Sequence, residues 1–277
     1  MQSSGGKKDS TYVDDVFSTY LYYGTAANGR VVTNNIDMDG EGAMLWVKRR
    51  GSTNSHILVD SERGPTKYLH SNSTAAETDS SSRIQSFSST GFVCGNSSDT
   101  NGGPGDRYGS WTFRKAPGFF DVVTYTGNSA NRLINHGLGS VPGMIIIKSR
   151  DETSAWAVYH KELGETQYIR LNSTNPAYAN SGRWNDTAPT STTFSLGNSS
   201  EVNLNTKTYV AYLFAGGAST AATARSVDFD GSGDRLTIPS STDWDFGSGD
   251  FTIECWVKGT MTTDSGIINR SNGGATD

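Results

Sequence analysis

Short runs of apolar, β-branched and aromatic residues, separated by Gly, Asn, Ser and Pro, make up most of the first 215 positions. Runs of this kind, bounded by turn residues, predict β-strands. The predicted strands cover 16–22, 30–34, 43–48, 57–60, 66–70, 91–95, 108–114, 120–127 and 192–196. The run from Ala43 to Lys48 is almost continuously apolar, which predicts a strand covered on both faces. The 3.6-residue periodicity of a helix is missing, and we expect at most one short helical turn, between Ser73 and Ser82.

This strand pattern occurs twice. Met44–Arg50 is matched by Met144–Arg150, one hundred positions later, and Asn72-Ser73-Thr74 is repeated identically as Asn172-Ser173-Thr174. Further matches are Phe92–Asp99 with Phe194–Glu201 and Tyr108–Phe113 with Tyr209–Phe214. No candidate catalytic pair is repeated, so the duplication favours a structural or binding protein.

The fold class predicted from the strand spacing is all-β, with two tandem β-sandwich, jelly-roll-like modules. We assign an N-terminal arm to 1–12, module 1 to 13–116 and module 2 to 117–215. A linker rich in Gly, Ala, Ser and Thr follows at 216–224, and a third domain begins at 225–277. The join Ala116-Pro117-Gly118 is too short for a loose linker. We therefore expect the two modules to touch.

The C-terminal stretch resembles the start of a laminin-G or concanavalin-A-like jelly roll. The residues that carry the resemblance are Phe229-Asp230-Gly231, Asp234-Arg235-Leu236, Pro239, Trp244-Asp245-Phe246 and Phe251–Val257. About 50 residues are too few to close such a fold, which implies that 225–277 hold only its first strands. The native protein would then be longer, or another chain would complete the domain; we favour the former.

The duplicated modules are similar to β-rich repeats of virion and tail-fibre proteins of marine tailed phages. The matching segments are Phe120–Gly127, His136–Gly139, Val141–Lys148 and Tyr209–Phe214, whereas module 1 has the variant turn Asp37–Gly42. The resemblance implies a homotrimeric tail fibre, assembled in the host cytoplasm, that docks on other tail proteins through its N-terminal part. The distal lectin-like part would contact a host surface glycan or receptor. Two alternatives stay open: a capsid or head-fibre decoration protein, and a carbohydrate-binding accessory part of a longer polysaccharide-degrading enzyme.

Charge and cysteine content further narrow the possible classes of protein and of partner. The net charge is −5 and no basic block is present, which argues against nucleic acid as a partner. No apolar run approaches the ~20 residues of a membrane span. The polar N-terminus predicts that there is no signal peptide. Cys94 and Cys255 fall in different modules, and we expect both to be buried thiols.

Titratable residues give few candidates for chemistry. Asp228, Asp230 and Asp234 have the close spacing of calcium ligands, but a plain β-turn is the preferred interpretation. Asp37-Met38-Asp39-Gly40-Glu41 has a similar pattern. The four scattered histidines, the pair Asp60/Glu62 and the pair Glu162/Glu165 do not recur in both modules. We therefore predict no catalytic residue, no cofactor and no dedicated metal site.

Polar turns and aromatics complete the candidates. Asn72 and Asn172 lie in glycosylation-like tripeptides, but we expect their side chains to close an equivalent turn in both modules. The candidates for carbohydrate or interface contacts are the aromatics of the second module that stand among polar residues: Trp156, Tyr159, Tyr178 and Trp184. Aromatic faces of this kind stack on sugars and fill protein interfaces, but core packing is the preferred interpretation for each of the four rings.

Overall fold

The structure is a computed structural model that describes residues 12–217. The chain divides into two units, Met1–Ala224 and Arg225–Asp277, and the described residues belong to the first. The predicted arm, the lectin-like domain, Cys255 and the candidate calcium ligands Asp228, Asp230 and Asp234 lie outside the described residues, as does nearly all of the predicted linker.

Module 1 contains one helical turn and nine strands. The elements are α1 (Val13–Val16), β1 (Phe17–Tyr23), β2 (Arg30–Thr33), β3 (Ala43–Arg49), β4 (Ile57–Asp60), β5 (Gly64–Leu69), β6 (Thr78–Asp79), β7 (Ile84–Ser88), β8 (Gly91–Cys94) and β9 (Arg107–Arg114). They form a six-stranded antiparallel sheet in the order β1-β9-β3-β4-β5-β6 and a three-stranded sheet in the order β2-β8-β7.

Module 2 repeats this order. Its elements are β10 (Phe120–Thr126), β11 (Arg132–Asn135), β12 (Pro142–Ser149), β13 (Ala157–His160), β14 (Gln167–Arg170), β15 (Tyr178–Ala179), α2 (Ser181–Trp184), β16 (Thr193–Leu196), α3 (Ser200–Asn203) and β17 (Thr208–Ala215). The sheets run β10-β17-β12-β13-β14-β15 and β11-β16. Module 2 has α2 where module 1 has β7, so its smaller sheet has one strand fewer.

The all-β sandwich prediction is therefore confirmed for the described residues. In each module the first two strands pair with the last two, a nested arrangement that jelly rolls share. The next strands, β3 to β6 and β12 to β15, form a meander within one sheet, whereas a jelly roll divides its strands evenly between two sheets. The short helical turn expected between Ser73 and Ser82 is wrong, because that segment contains β6. The single-turn helices lie elsewhere, and Asn180 and Ser199 cap α2 and α3.

Each module encloses its own apolar core between its two sheets. The central strand β3 turns Ala43, Leu45 and Val47 into the core of module 1, and β12 does the same for module 2 with Ile145 and Ile147. Cys94 lies in the first of these cores as a buried free thiol, as predicted. Burial raises the pKa of Cys94 to about 12, so the group stays a thiol.

A third core joins the modules. The outer faces of the two six-stranded sheets pack against each other, with Met44 and Leu58 of module 1 in the same cluster as Phe120 and Trp156 of module 2. Met44 occupies the face of β3 opposite Leu45, so β3 is covered on both sides, as its continuous apolar pattern predicts. The expectation that the modules touch is confirmed.

Candidate functional site

The charged residues at the module junction form one buried cluster. Asp60 at the end of β4 accepts hydrogen bonds from the backbone N–H of Arg63 (2.9 Å) and from its Nε (2.6 Å). The hydroxyl of Tyr212 on β17 donates to the same carboxylate (2.8 Å) and accepts from Arg63 Nη2 (2.9 Å). Asp60 and Arg63 are both buried. The Tyr212 hydroxyl therefore connects this buried ion pair of module 1 to module 2.

Glu77 extends this cluster. Its carboxylate accepts from Arg63 Nη1 (2.9 Å) and from Nε and Nη2 of Arg150 (3.0 and 2.8 Å). Burial alone would raise the pKa of Glu77, but the hydrogen bonds from Arg150 and Arg63 outweigh it and lower that pKa. Burial raises the pKa of Tyr212 well above 10. Glu77 thus forms ion pairs with Arg63 of its own module and with Arg150 of module 2, which join the two sheets.

The carboxylate pairs that the sequence offered as acid/base candidates are not brought together as pairs in the structure. Asp60 is committed to Arg63, whereas Glu62 pairs with Lys115 (2.7 Å). Glu162 is exposed, and its ion pair is a long contact with the neighbouring Lys161 (3.9 Å). Asp60 and Glu62 are therefore held in separate ion pairs with different cations.

A groove of about 680 Å³ opens at the rim of the module junction. Its walls are Trp46, His56, Ser71 and Asn72 from module 1 and Leu171–Thr174 from module 2. The indole Nε1 of Trp46 donates to His56 Nδ1 (2.8 Å), which leaves the proton of the neutral imidazole on Nε2. Burial, followed by the charge of Lys48, lowers the pKa of His56. The groove therefore offers an indole, a neutral imidazole and amide groups side by side.

The two repeated asparagines shape this groove. Asn72 Oδ1 accepts from the backbone N–H of His56 (3.1 Å), and Asn172 Oδ1 accepts from that of Trp156 (3.0 Å). The two asparagines therefore make equivalent contacts in both modules, as expected, but each contact joins the turn to the residue just before β4 or β13 instead of closing the turn itself. Because the two sheets pack face to face, the two turns meet at one rim.

A second depression, of about 530 Å³, contains charged side chains. Lys115 lies between Glu62 (2.7 Å) and Asp121 (3.4 Å), and Asp121 also accepts from the backbone N–H of Gly137 (2.7 Å). Burial lowers the pKa of Lys115, but Glu62 and Asp121 more than offset this and raise it. Lys115 is therefore a protonated, ion-paired lysine, which suits a structural contact better than nucleophilic chemistry.

Three of the four predicted aromatic candidates are buried. Trp156 fills the core between the modules, and its Nε1 donates to the carbonyls of His70 (3.0 Å) and Ser73 (3.1 Å). Tyr159 and Trp184 pack edge to face inside module 2. These three rings are thus core or inter-module residues and cannot stack on a sugar, which corrects the carbohydrate interpretation. Tyr178 is 40% exposed, and it alone of the four keeps an accessible ring.

The other candidates are placed as follows. Asp37 Oδ1 accepts from the N–H of Gly40 (2.9 Å), which makes a local turn. Within residues 12–217, no group of three or more His, Cys, Asp or Glu side chains is arranged to hold a metal ion. No helix in the same range is long and apolar enough to cross a membrane.

Sequence reasoning missed Trp46, Trp111 and Arg63. Trp46 corresponds to Ile146 in an otherwise duplicated strand, and this exchange of an aliphatic for an aromatic residue was the available signal. Trp111 contacts Trp46 edge to face at 6.2 Å and is 37% exposed. Arg63 gave no signal, because a charged residue next to Gly64-Pro65 is typical of an exposed turn.

Comparisons with known proteins place most of the chain in one family. No curated protein and no solved structure matches the sequence. A family model described as a domain of unknown function, DUF7483, matches residues 12–222. This range covers both sandwich modules together, so the chain belongs to the DUF7483 family.

Proposed function

We propose that the two fused modules are a rigid building unit of a phage virion protein, in the first instance a tail fibre. The observation that carries the proposal is the joint between the modules, where an apolar core surrounds the buried Asp60–Arg63–Tyr212 cluster. Interfaces between domains of one chain are usually polar and allow relative motion, whereas large apolar ones hold the domains fixed. A fixed pair of sandwiches suits an appendage that must hold its distal end at a set distance.

The assignment to a virion is supported by the resemblance of Phe120–Gly127 and Val141–Lys148 to phage appendage repeats. In this proposal the N-terminal part docks on other tail proteins, and the part after residue 224 contacts the host surface.

Immunogold electron microscopy of purified virions tests this proposal. The antibody is raised against residues 12–217, and antibody pre-absorbed with the same protein is the control. Label on the tail is the expected result. Label over the capsid would replace the fibre with a decoration protein, and virions without label would overturn both.

A second function, glycan binding, is favoured by the groove at the rim of the junction. The half-exposed indole of Trp46 lies beside the amides of Asn72 and Asn172. Aromatic faces bind the apolar side of a sugar ring, and amides orient its hydroxyls. This groove takes over the carbohydrate role for which Trp156, Tyr159 and Trp184 are too buried.

Saturation-transfer NMR with host surface polysaccharide compares Trp46 in the groove with Tyr178, the sequence-predicted candidate that is exposed. We expect Trp46→Ala to lose the sugar signals and Tyr178→Ala to keep them, with circular dichroism confirming that both variants are folded. Loss in Tyr178→Ala alone would move the site to β15. A wild-type chain without any signal would leave the structural role only.

A further inference from the structure

The first strand of module 1 lies at an open edge of its sheet. Among the described residues β1 pairs with β9 and with no other strand. The hydrogen bond from Gly24 N to Asp106 O continues this ladder (2.8 Å). Since the residues of an antiparallel strand alternate between bonded and unbonded pairs, the backbone groups of Thr19, Leu21 and Tyr23 face away from β9.

The backbone groups of Thr19, Leu21 and Tyr23 have no partner within 12–217. Phe17 is the fourth residue of β1 that faces the open edge, and its N–H donates to Val13 O in α1. The strand itself, Phe-Ser-Thr-Tyr-Leu-Tyr-Tyr, has no charge and no proline. Leu21 is 64% exposed and Tyr23 61%. A long, uncharged edge strand of this kind is a template for pairing with another strand.

The equivalent strand of module 2 is partly covered by its own chain. Register aligns β10 with β1, so that Phe120 corresponds to Phe17 and Asp121 to Ser18. Phe120 exchanges backbone hydrogen bonds with Ala116 (3.0 and 3.2 Å), and the Asp121 carboxylate accepts from Val122 N (2.9 Å). Arg132 Nη1 donates to Thr126 O (2.8 Å). The same sheet edge is thus partly covered in module 2 and left open in module 1.

We propose that β1 is a self-association strand that pairs antiparallel with β1 of a second copy of this chain. A two-fold axis through Tyr20 places Thr19 opposite Leu21 and Phe17 opposite Tyr23 of the other copy. The groups that face the edge then form about six backbone hydrogen bonds. This register pairs an aromatic with an aromatic residue and joins no like charges, which cross-strand pairing favours.

The side chains support a second copy as the occupant. Thr19, Leu21 and Tyr23 lie on the same face as Trp111, which is opposite Thr19 in the ladder. Pairing about the two-fold axis brings the two exposed apolar faces together in one continuous surface. In module 2 the equivalent face, with Val122 and Tyr212, is already buried against module 1.

Edge pairing of this kind produces a dimer, unlike the homotrimer implied by the phage resemblance. The pairing needs only this strand, so it holds or fails independently of the virion location proposed above.

Light scattering after gel filtration of the full chain, over a series of protein concentrations, tests the pairing. We expect the wild type to be a dimer. Thr19 and Leu21 are exposed, so Thr19→Lys/Leu21→Lys should stay folded and become monomeric through charge repulsion. Leu133→Lys is the matched control, because Leu133 is 60% exposed on the smaller sheet of module 2; it should remain a dimer.

A charge exchange distinguishes pairing from damage. Thr19→Glu/Leu21→Glu alone should also be monomeric, but mixing it with the lysine variant should restore a heterodimer, since Lys then faces Glu across the axis. A wild-type chain that is monomeric or trimeric would overturn the proposal. Lysine and glutamate variants that both remain dimers would also overturn it, as would the failure of their mixture to associate.

Discussion

The two modules have the same strand order, yet they treat equivalent surfaces differently. At the sheet edge, Ser18 in β1 corresponds to Asp121 in β10, and only the aspartate covers a neighbouring backbone N–H. Inside the modules, by contrast, the contacts are duplicated. Tyr22 stacks on Tyr108 at 5.1 Å, and their counterparts Tyr125 and Tyr209 stack at 5.2 Å. The interior is therefore kept in both copies, and the difference is concentrated where each module meets something else.

The junction shows the same asymmetry. The ladder partners Met44–Asp60 and Met144–His160 make Asp60 equivalent to His160, and the repeated asparagine turns make Trp156 equivalent to His56. In each pair one residue is buried at the junction and the other is partly exposed. The two modules therefore pack on each other through apolar and charged residues that one module has at a given position and the other module lacks. In each pair, substitution of the buried residue can be compared with the same substitution of its partly exposed counterpart.

The largest effect is expected for Trp156→Ala. Trp156 has no exposed surface and donates to two carbonyls of module 1, so truncation leaves both a cavity and unpaired oxygens. We expect the free energy of unfolding to fall by about 4 kcal/mol. The matched change His56→Ala removes only a partly exposed ring and should cost about 1 kcal/mol. Urea unfolding of both variants measures this; equal losses would contradict the asymmetry of the joint.

A smaller loss is expected for Asp60→Ala. Removing this carboxylate leaves the Arg63 guanidinium buried with Glu77 as its remaining anion. Breaking one side of a buried ion pair costs about 3 kcal/mol. His160→Ala, at the equivalent position, removes a half-buried ring whose Nδ1 accepts one backbone hydrogen bond (3.2 Å), and should cost less than about 1 kcal/mol. Denaturant midpoints of the two variants decide the matter, and a larger loss for His160→Ala would disprove the role given to the cluster.

The sequence predicted the parts of the fold that depend on local pattern. Cores form on both sides of the strand Ala43–Arg49. Its burial on both faces was predictable because its apolar run does not alternate. The repeated Asn72 and Asn172 turns were visible as identical tripeptides. In contrast, β6 has two residues and was indistinguishable from a loop.

The parts that were not predicted depend on which faces of the sheets pack against each other. Trp156 and Trp184 stand among polar residues in sequence, but tertiary packing buries both. Arg63 is next to a turn in sequence, yet its partners Glu77 and Tyr212 are distant along the chain. Asn101 and Asn203 are equivalent residues that each bridge two loop carbonyls (2.7 to 2.9 Å); the repeat makes them correspond, but it does not reveal which carbonyls they bind. Contacts of this kind follow from sheet packing and cannot be read from strand periodicity.

A smaller expected effect concerns Lys148, one of two lysines at equivalent positions of the modules, and it is a dependence of stability on pH. Lys48 is partly exposed and donates to the carbonyls of Arg49, Ser52 and Asn54. Lys148 is buried and donates to Ser149 O (2.7 Å) and Glu152 O (3.1 Å). Burial lowers the pKa of Lys148 to about 8, below the ~10.4 of an unfolded chain.

Between these two pKa values the unfolded chain binds more protons than the folded one, so the Lys148 contribution to the free energy of unfolding rises with pH. Below about pH 8 the full cost of burying the charge is present in the folded state. We expect Lys148→Met to remove a gain of about 1–2 kcal/mol over this window, measured as the difference from wild type so that the tyrosine and cysteine titrations cancel. If urea titrations at a series of pH values gave parallel curves for wild type and Lys148→Met, then burial would not disfavour the charged form of Lys148, and the prediction would be wrong.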